Sequence, residues 1–382
     1  MTEKWYFIII IFCIKLLFTG CLKKQMEGND DYLKIEVNID KTRTSSIKDW
    51  FSSIELTRLE TNENSLLNIC NKILFHENKY YVLDKNQSII FVYDRYGNYL
   101  LSSNNKKGNG PGEYFCIVDF DIDEQTNMID ILDVSAYKIR KYDENFNFVS
   151  ELTLPAELYP ITTFKILSPD LYVFYSPPLE NRDEALQIYS VSKSKIQNKL
   201  CPHLFKTVQS RSQAYSFYTF NQQVFFTFPY PNNEIFRIDV EKSDNKIQKV
   251  VEYYLEKYRF DYIKSTNIQA DDFIENSNQY AFLTHKYENY KYYFAFIYFK
   301  EALHIVKYDK TTKAQDIISW KFSDGGMLLP PILVDDECFY VVISQNHLNE
   351  TISRELLDSK SKEILENISE DDNPVIARYY LK

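Results

Sequence analysis

The sequence predicts an all-β fold, a six-bladed β-propeller of four-stranded antiparallel blades with short helical insertions in its C-terminal half. Three observations predict it. Aromatic residues abound (31 Tyr and 27 Phe in 382 residues) while glycine is scarce at 8, and Tyr and Phe favour pleated, half-buried surfaces. A strand–turn–strand pattern then recurs through the first four copies at steps of 49, 47 and 49 residues. A period of that size holds four antiparallel strands and no crossover helix, which is the make-up of a propeller blade. A lone sheet of this kind leaves both faces and its edges exposed, and stacking blades around an axis covers them.

The chain opens on an apolar run, residues 5–14, after Lys4; Lys15 interrupts it before Leu16-Leu17-Phe18-Thr19-Gly20-Cys21. The stretch is short and broken by charge, which suits a signal peptide better than a spanning helix, although an uncleaved anchor is the alternative. Thr19-Gly20 before Cys21 resembles the signal of bacterial lipoproteins. That resemblance implies cleavage before Cys21, acylation of Cys21 and a lipid anchor in the membrane. The resulting plan is a signal peptide over 1–20, a polar lipid-anchored tether over 21–50 and the propeller over 51–382. Beyond Cys13 and Cys21 there remain Cys70, Cys116, Cys201 and Cys338, with no C-x-x-C spacing. They read as small buried hydrophobes or as one disulfide.

The repeat is clearest between residues 80–100 and 129–149. Without gaps, Asp84 falls on Asp133, Tyr93-Asp94 on Tyr142-Asp143 and Tyr99 on Phe148. The same slot carries Tyr189-Ser190, Ile238-Asp239 and, after a step of 70, Tyr308-Asp309. Asp84, Asp94, Asp133, Asp143, Asp239 and Asp309 end strands where a short acceptor side chain helps reverse the backbone, so each is assigned a structural role in the repeat. The blades fall at 66–118, 119–165, 166–212, 213–256, 281–328 and 329–382. An insertion near 257–280 accounts for the long step, and a second at 347–370 has the apolar period of a helix. The final strand, from Pro374, needs a partner to close the ring, and residues 53–60 can supply it.

With Tyr80 to Tyr114, the Leu56–Thr61 segment and the closing Asn373-Pro374-Val375, the chain resembles the six-bladed β-propeller lipoproteins of the Bacteroidetes, themselves similar to NHL-repeat propellers. The resemblance implies the fold and a place in the cell envelope, most of all the outer membrane on its periplasmic or surface face. It implies little about activity.

Candidate sites are few. Gly108, Gly110 and Gly112, followed by Glu113 and Tyr114, form either a loop whose N–H groups hold an anion or a tight turn between blades that needs positive φ. Glu113 and Tyr114 are placed as ligand-binding candidates facing the central channel. Asp119-Phe-Asp121-Ile-Asp123 has the start of a calcium loop, but Glu124 stands where Gly is needed. The apolar alternation reads instead as a strand with a solvated carboxylate face. The five histidines show no ligand spacing and no G-x-S-x-G elbow exists, so neither metal, cofactor nor catalytic residue is assigned. Trp320, Tyr230 and Tyr287 are core residues unless exposed, in which case they can stack on sugars or peptides. A net charge of −10, from 44 basic and 54 acidic residues, argues against nucleic acid. The expected function is a non-catalytic binding module for a peptide, a glycan or an envelope protein. The alternative is an NHL-like lyase or hydrolase with its site in the central funnel.

Overall fold

A computed structural model describes residues 32–178, 183–203, 207–209, 216–229, 232–240, 246–260, 267–269 and 276–382. Cys21 and the expected signal peptide lie outside the described residues. The chain divides into Met1–Leu33, almost all of it outside them, and the compact unit Lys34–Lys382, to which everything below refers.

Six four-stranded antiparallel sheets form the propeller. Blade 1 runs over 72–102, blade 2 over 117–153, blade 3 over 163–202, blade 4 over 217–254 and blade 5 over 282–319, each with its strands paired in chain order. The first strand of each blade is innermost. Blade 6 takes Leu333–Val334, Cys338–Ile343 and Val375–Leu381, and its outer strand is Phe51–Arg58 from the other end of the propeller sequence. Ile54 pairs with Tyr379 and Thr57 with Ile376, so the ring closes as the sequence requires. Tyr and Phe fill the layers between blades. Phe51 alone meets the rings of Phe322, Phe339 and Tyr379 at 5.3–6.3 Å between centroids.

The repeat has a physical basis that the pattern only hinted at. Asp94 Oδ1 accepts from the backbone N–H groups of Tyr96 and Asn98, and Asp143 Oδ1 from those of Asn145 and Asn147. Asp309 Oδ1 does the same for Thr311 and Thr312. These are the expected side-chain turns. Asp84 and Asp133 act over a longer range. Both are fully buried; Asp84 Oδ2 accepts from Asn68 N and Ile69 N, and Asp133 from Phe115 N and Cys116 N. Each ties down the segment that leads into its own blade. The tyrosine of the Tyr-Asp pair is the second tie, with Tyr93 Oη donating to Ser65 O and Tyr142 Oη to Gly112 O. Asp239 departs from the rule and forms an ion pair with Arg237 at 2.6 Å.

The turn after Asp94 carries Gly97 at φ +90°, where an added Cβ lies 2.1 Å from the carbonyl oxygen of Arg58. Gly97→Ala combines left-handed strain with a backbone clash at the blade 1–blade 6 seam. It is expected to destabilise the fold by about 1–3 kcal/mol, read as a lower urea midpoint with unchanged slope.

The expected tether over 21–50 is corrected from residue 33 onward, because this segment is folded. Leu33–Glu36 adds a fifth strand to the outer edge of blade 4, Arg43 bridges to Ile318 on the outer strand of blade 5, and the chain then enters blade 6. Ile35, Val37, Ile39, Ile47 and Trp50 are all buried. The segment is a belt that covers the outer edges of blades 4 and 5, which would otherwise present unpaired backbone groups. Arg43 anchors it with a bidentate pair to Asp316 at 2.9 and 2.7 Å, and Trp50 Nε1 donates to the same carboxylate at 2.9 Å.

Both insertions are present. Helices α1 (Gln345–Thr351) and α2 (Ser359–Asn367) interrupt blade 6, and Asp358 caps α2 by accepting from Ser361 N at 2.7 Å. In the earlier insertion, Asn267–Gln269 pairs in parallel with Thr207–Gln209. Cys70, Cys116, Cys201 and Cys338 are free thiols. Among the described residues no helix is long and apolar enough to cross a membrane.

Candidate functional site: the central channel

The first strands of all six blades converge on a central cavity of about 420 Å³, within the range of small-ligand sites. Its walls carry charged and aromatic side chains that belong to different repeats and meet only because the ring closes.

Blades 1–3 contribute a buried ladder of opposite charges. Lys72 Nζ lies 2.7 Å from Asp119 Oδ1 and 2.7 Å from Phe120 O. Asp119 also accepts from Thr163 Oγ1 and, at 3.0 Å, from Phe164 N. One strand along, Lys165 Nζ pairs with Asp121 Oδ1 at 2.8 Å, and Ile166 N donates to Asp121 Oδ2 at 2.9 Å. Burial pushes the Asp119 carboxyl up, but Lys72, Lys85 and the hydrogen bonds outweigh it and hold the group below the ordinary range. The solvated carboxylate face expected over 119–123 is therefore corrected. Asp119 and Asp121 are 3% and 1% exposed, because lysines from both neighbouring blades reach their level of the channel.

Blades 4–6 differ in character. Glu288 pairs with Lys310 at 2.6 Å and accepts from Tyr218 Oη at 2.8 Å. Lys286 is buried and its Nζ donates to Asn232 O and Oδ1 at 2.8 and 3.1 Å. Burial pushes this ammonium down to about 7, with Glu234 the opposing charge. His285 beside it is pushed down to about 4 by burial and by Lys286, so its imidazole is neutral at physiological pH. Nearer the opening, the rings of Phe220 and Tyr290 stand 5.0 Å apart, and Tyr290 is 63% exposed. Its backbone N–H donates to Asp336 Oδ1 at 3.0 Å.

The glycine loop lies elsewhere. Gly108 to Tyr114 connect blade 1 to blade 2 and do not line the channel. Their anion is the chain's own: Glu113 Oε2 accepts from Gly110 N at 2.8 Å, and a Cβ at Gly108 would fall 2.1 Å from that oxygen. Gly112 has φ +73° and is the one residue of the three glycines that needs glycine's backbone freedom. Tyr114 is fully buried, with its hydroxyl held by Ser103. The expectation that Glu113 and Tyr114 face the channel is thus corrected: they lock a turn between blades. Tyr287 lines the channel and donates its hydroxyl to Pro331 O, while Trp320 lines a separate cavity of about 450 Å³ beside α1. Tyr230 lies outside the described residues.

Sequence reasoning missed Lys72, Lys165, Lys286, Glu288 and Tyr290. The available signal was charge at every second position in the first strand of a blade, as in Lys286/Glu288 and Asp119/Asp121. Among the described residues no group of three His, Cys, Asp or Glu side chains is arranged to hold a metal ion.

A ring of six blades around a charged, aromatic-walled channel defines the class. The chain belongs to the DUF4934 family, a domain of unknown function, whose model matches residues 32–380. That start coincides with the belt rather than with the first blade. No curated protein sequence matches the chain. Among solved structures, a "putative exported protein" from Bacteroides fragilis shares 19% identity at a TM-score of 0.66, over 92% of this chain and 99% of that one. A DUF4221 family member from Bacteroides vulgatus shares 10% identity at 0.51, over 87% and 99%. Both are similar in fold.

Proposed function

We propose that this protein is a lipid-anchored envelope propeller that recognises a peptide, a glycan or the exposed segment of an envelope protein through its central channel, without transforming it. The convergence of six inner strands on one open cavity carries the reading. Six blades place independent side chains around a single ligand, while the closed ring keeps them rigid, so little ordering cost is left to binding. The exposed Tyr290 ring and its Phe220 neighbour supply an apolar face, and the neighbouring carboxylates supply hydrogen-bond acceptors. Anchoring at Cys21 agrees with the lipoprotein-like signal, and the exported character stated for the Bacteroides fragilis protein of like fold is consistent with it.

A thermal-shift screen of peptides and oligosaccharides tests the binding half, run on wild type and on Asn221→Trp, which places a bulky ring at an exposed position of the channel wall. A ligand at 100 times its dissociation constant adds about 2.7 kcal/mol to the folded state. The expected result is a shift present in wild type and lost in the variant. Equal shifts in both contradict a channel site. For the anchor, Cys21→Ser is expected to move the protein from the membrane fraction to the soluble one, and unchanged membrane association contradicts lipidation.

A further inference from the structure

Charge pairing along the channel says more about the ligand than its shape does. Two lysines of the walls are matched by carboxylates inside the protein, Lys72 by Asp119 and Lys165 by Asp121, and Lys310 behind the wall is matched by Glu288. Lys286 is held by the neutral Asn232 in a buried site. The carboxylates are not all matched in return. Glu124, Asp335 and Asp336 line the same cavity, and among the described residues none of them has an ion pair. Asp335 is engaged by Tyr340 Oη and by two backbone N–H groups, whereas Glu124 and Asp336 are exposed.

These two exposed carboxylates share the opening with Tyr290 and Phe220, and Asp336 is joined directly to the Tyr290 backbone. Phe220 already shows that rings here accept a cation: Lys310 Nζ stands 4.4 Å from its centroid and 4.2 Å from that of Tyr293. An aromatic face beside an unmatched carboxylate attracts a cation by both quadrupole and charge. The net charge of −10 attracts the same ligands over longer range.

We propose that the channel receives a flexible cationic arm, an alkylammonium or guanidinium of the kind a lysine or arginine side chain presents, with its charge against Asp336 and Glu124 and its stem along Tyr290. This rests on the channel being the binding site and adds the chemistry of what enters it.

The test titrates the full-length protein with the N-acetylated peptide amide Gly-Gly-Arg-Gly, with its citrulline counterpart, which keeps the shape without the charge, and with spermidine. The arginine peptide or spermidine is expected to bind at least ten-fold tighter than the citrulline peptide, and whichever of the two binds tighter identifies the peptide or the free amine as the source. Tyr290→Ala is expected to weaken that binding at least ten-fold while leaving the melting temperature unchanged, since the ring is mostly in solvent. The double variant Glu124→Gln/Asp336→Asn is expected to erase the preference for charge. Equal affinity for the citrulline peptide, indifference to Tyr290→Ala, or no binding of either cation at millimolar concentration overturns the proposal. If the last occurs while a neutral ligand gives a shift that Asn221→Trp abolishes, the channel remains the binding site and only its cation preference falls.

Discussion

Replacing Asp119 by alanine is expected to cost about 3–5 kcal/mol and to abolish folding if the margin of the wild type is ordinary. One carboxylate joins three blades: it takes the Lys72 ammonium of blade 1, belongs to blade 2, and accepts from Thr163 and the Phe164 backbone of blade 3. Its loss takes the paired carboxylate away from the Lys72 ammonium, in a site where both partners are almost out of water. Asp119→Asn keeps two of the acceptor contacts and is expected to cost less. The same network gives a pH dependence. The folded-state pKa of Asp119 lies below that of an unfolded aspartate, near 3.9. Its contribution is therefore complete above the unfolded value and is lost as pH falls through the depressed folded one. Denaturant midpoints measured from pH 6 down to pH 2 are expected to fall more steeply for wild type than for Asp119→Asn. A wild-type curve parallel to that of the variant contradicts the assignment.

Deleting residues 33–50 is expected to be the second large effect. The belt buries Ile35, Val37, Ile39, Ile47 and Trp50, and it covers the edges of blades 4 and 5 before entering blade 6. Burying an aliphatic or aromatic side chain of this size is worth about 1.5–3 kcal/mol each, so removing five exceeds the net stability of most domains. The uncovered outer strands Lys246–Tyr254 and Gln315–Ser319 then offer open edges. The truncated chain is expected to aggregate or to melt far below wild type, whereas a chain starting at residue 32, where the family match begins, is expected to behave as wild type. A soluble truncated protein with an unchanged melting temperature contradicts the belt's role.

The legibility of this fold follows from how locally each feature is encoded. Blades 1 and 2 were plain because Asp84/Asp133 and Tyr93-Asp94/Tyr142-Asp143 perform the same two tasks in each blade, a turn and a tie to the incoming loop, and so recur at one offset. Ring closure by 53–60 was legible because a final strand without a partner demands one. The belt resembles a tether in sequence because its apolar residues are few and interleaved with charge. Yet Ile35, Val37 and Ile39 alternate, which is the period of a strand covering an edge with one face. The glycine loop misled for a different reason: backbone N–H groups arranged for an anion do not reveal that Glu113, three residues on, already fills the place. The channel was the least legible part. Its residues are ordinary lysines and carboxylates in sequence, and their pairing depends on which strands become innermost neighbours, as Lys72, Asp119 and Thr163 do across 91 residues of chain.

The central claim, that the channel is where this protein meets its ligand, is tested most directly by capture and mass spectrometry. Purified wild type and Tyr290→Ala are each equilibrated with small molecules and peptides extracted from the envelope, passed through a sizing column, and the retained compounds compared by mass. Compounds held by wild type and lost from the variant are the predicted result, since the substitution removes an exposed channel side chain and little else. A set of compounds retained equally by both places recognition on another surface and contradicts the account.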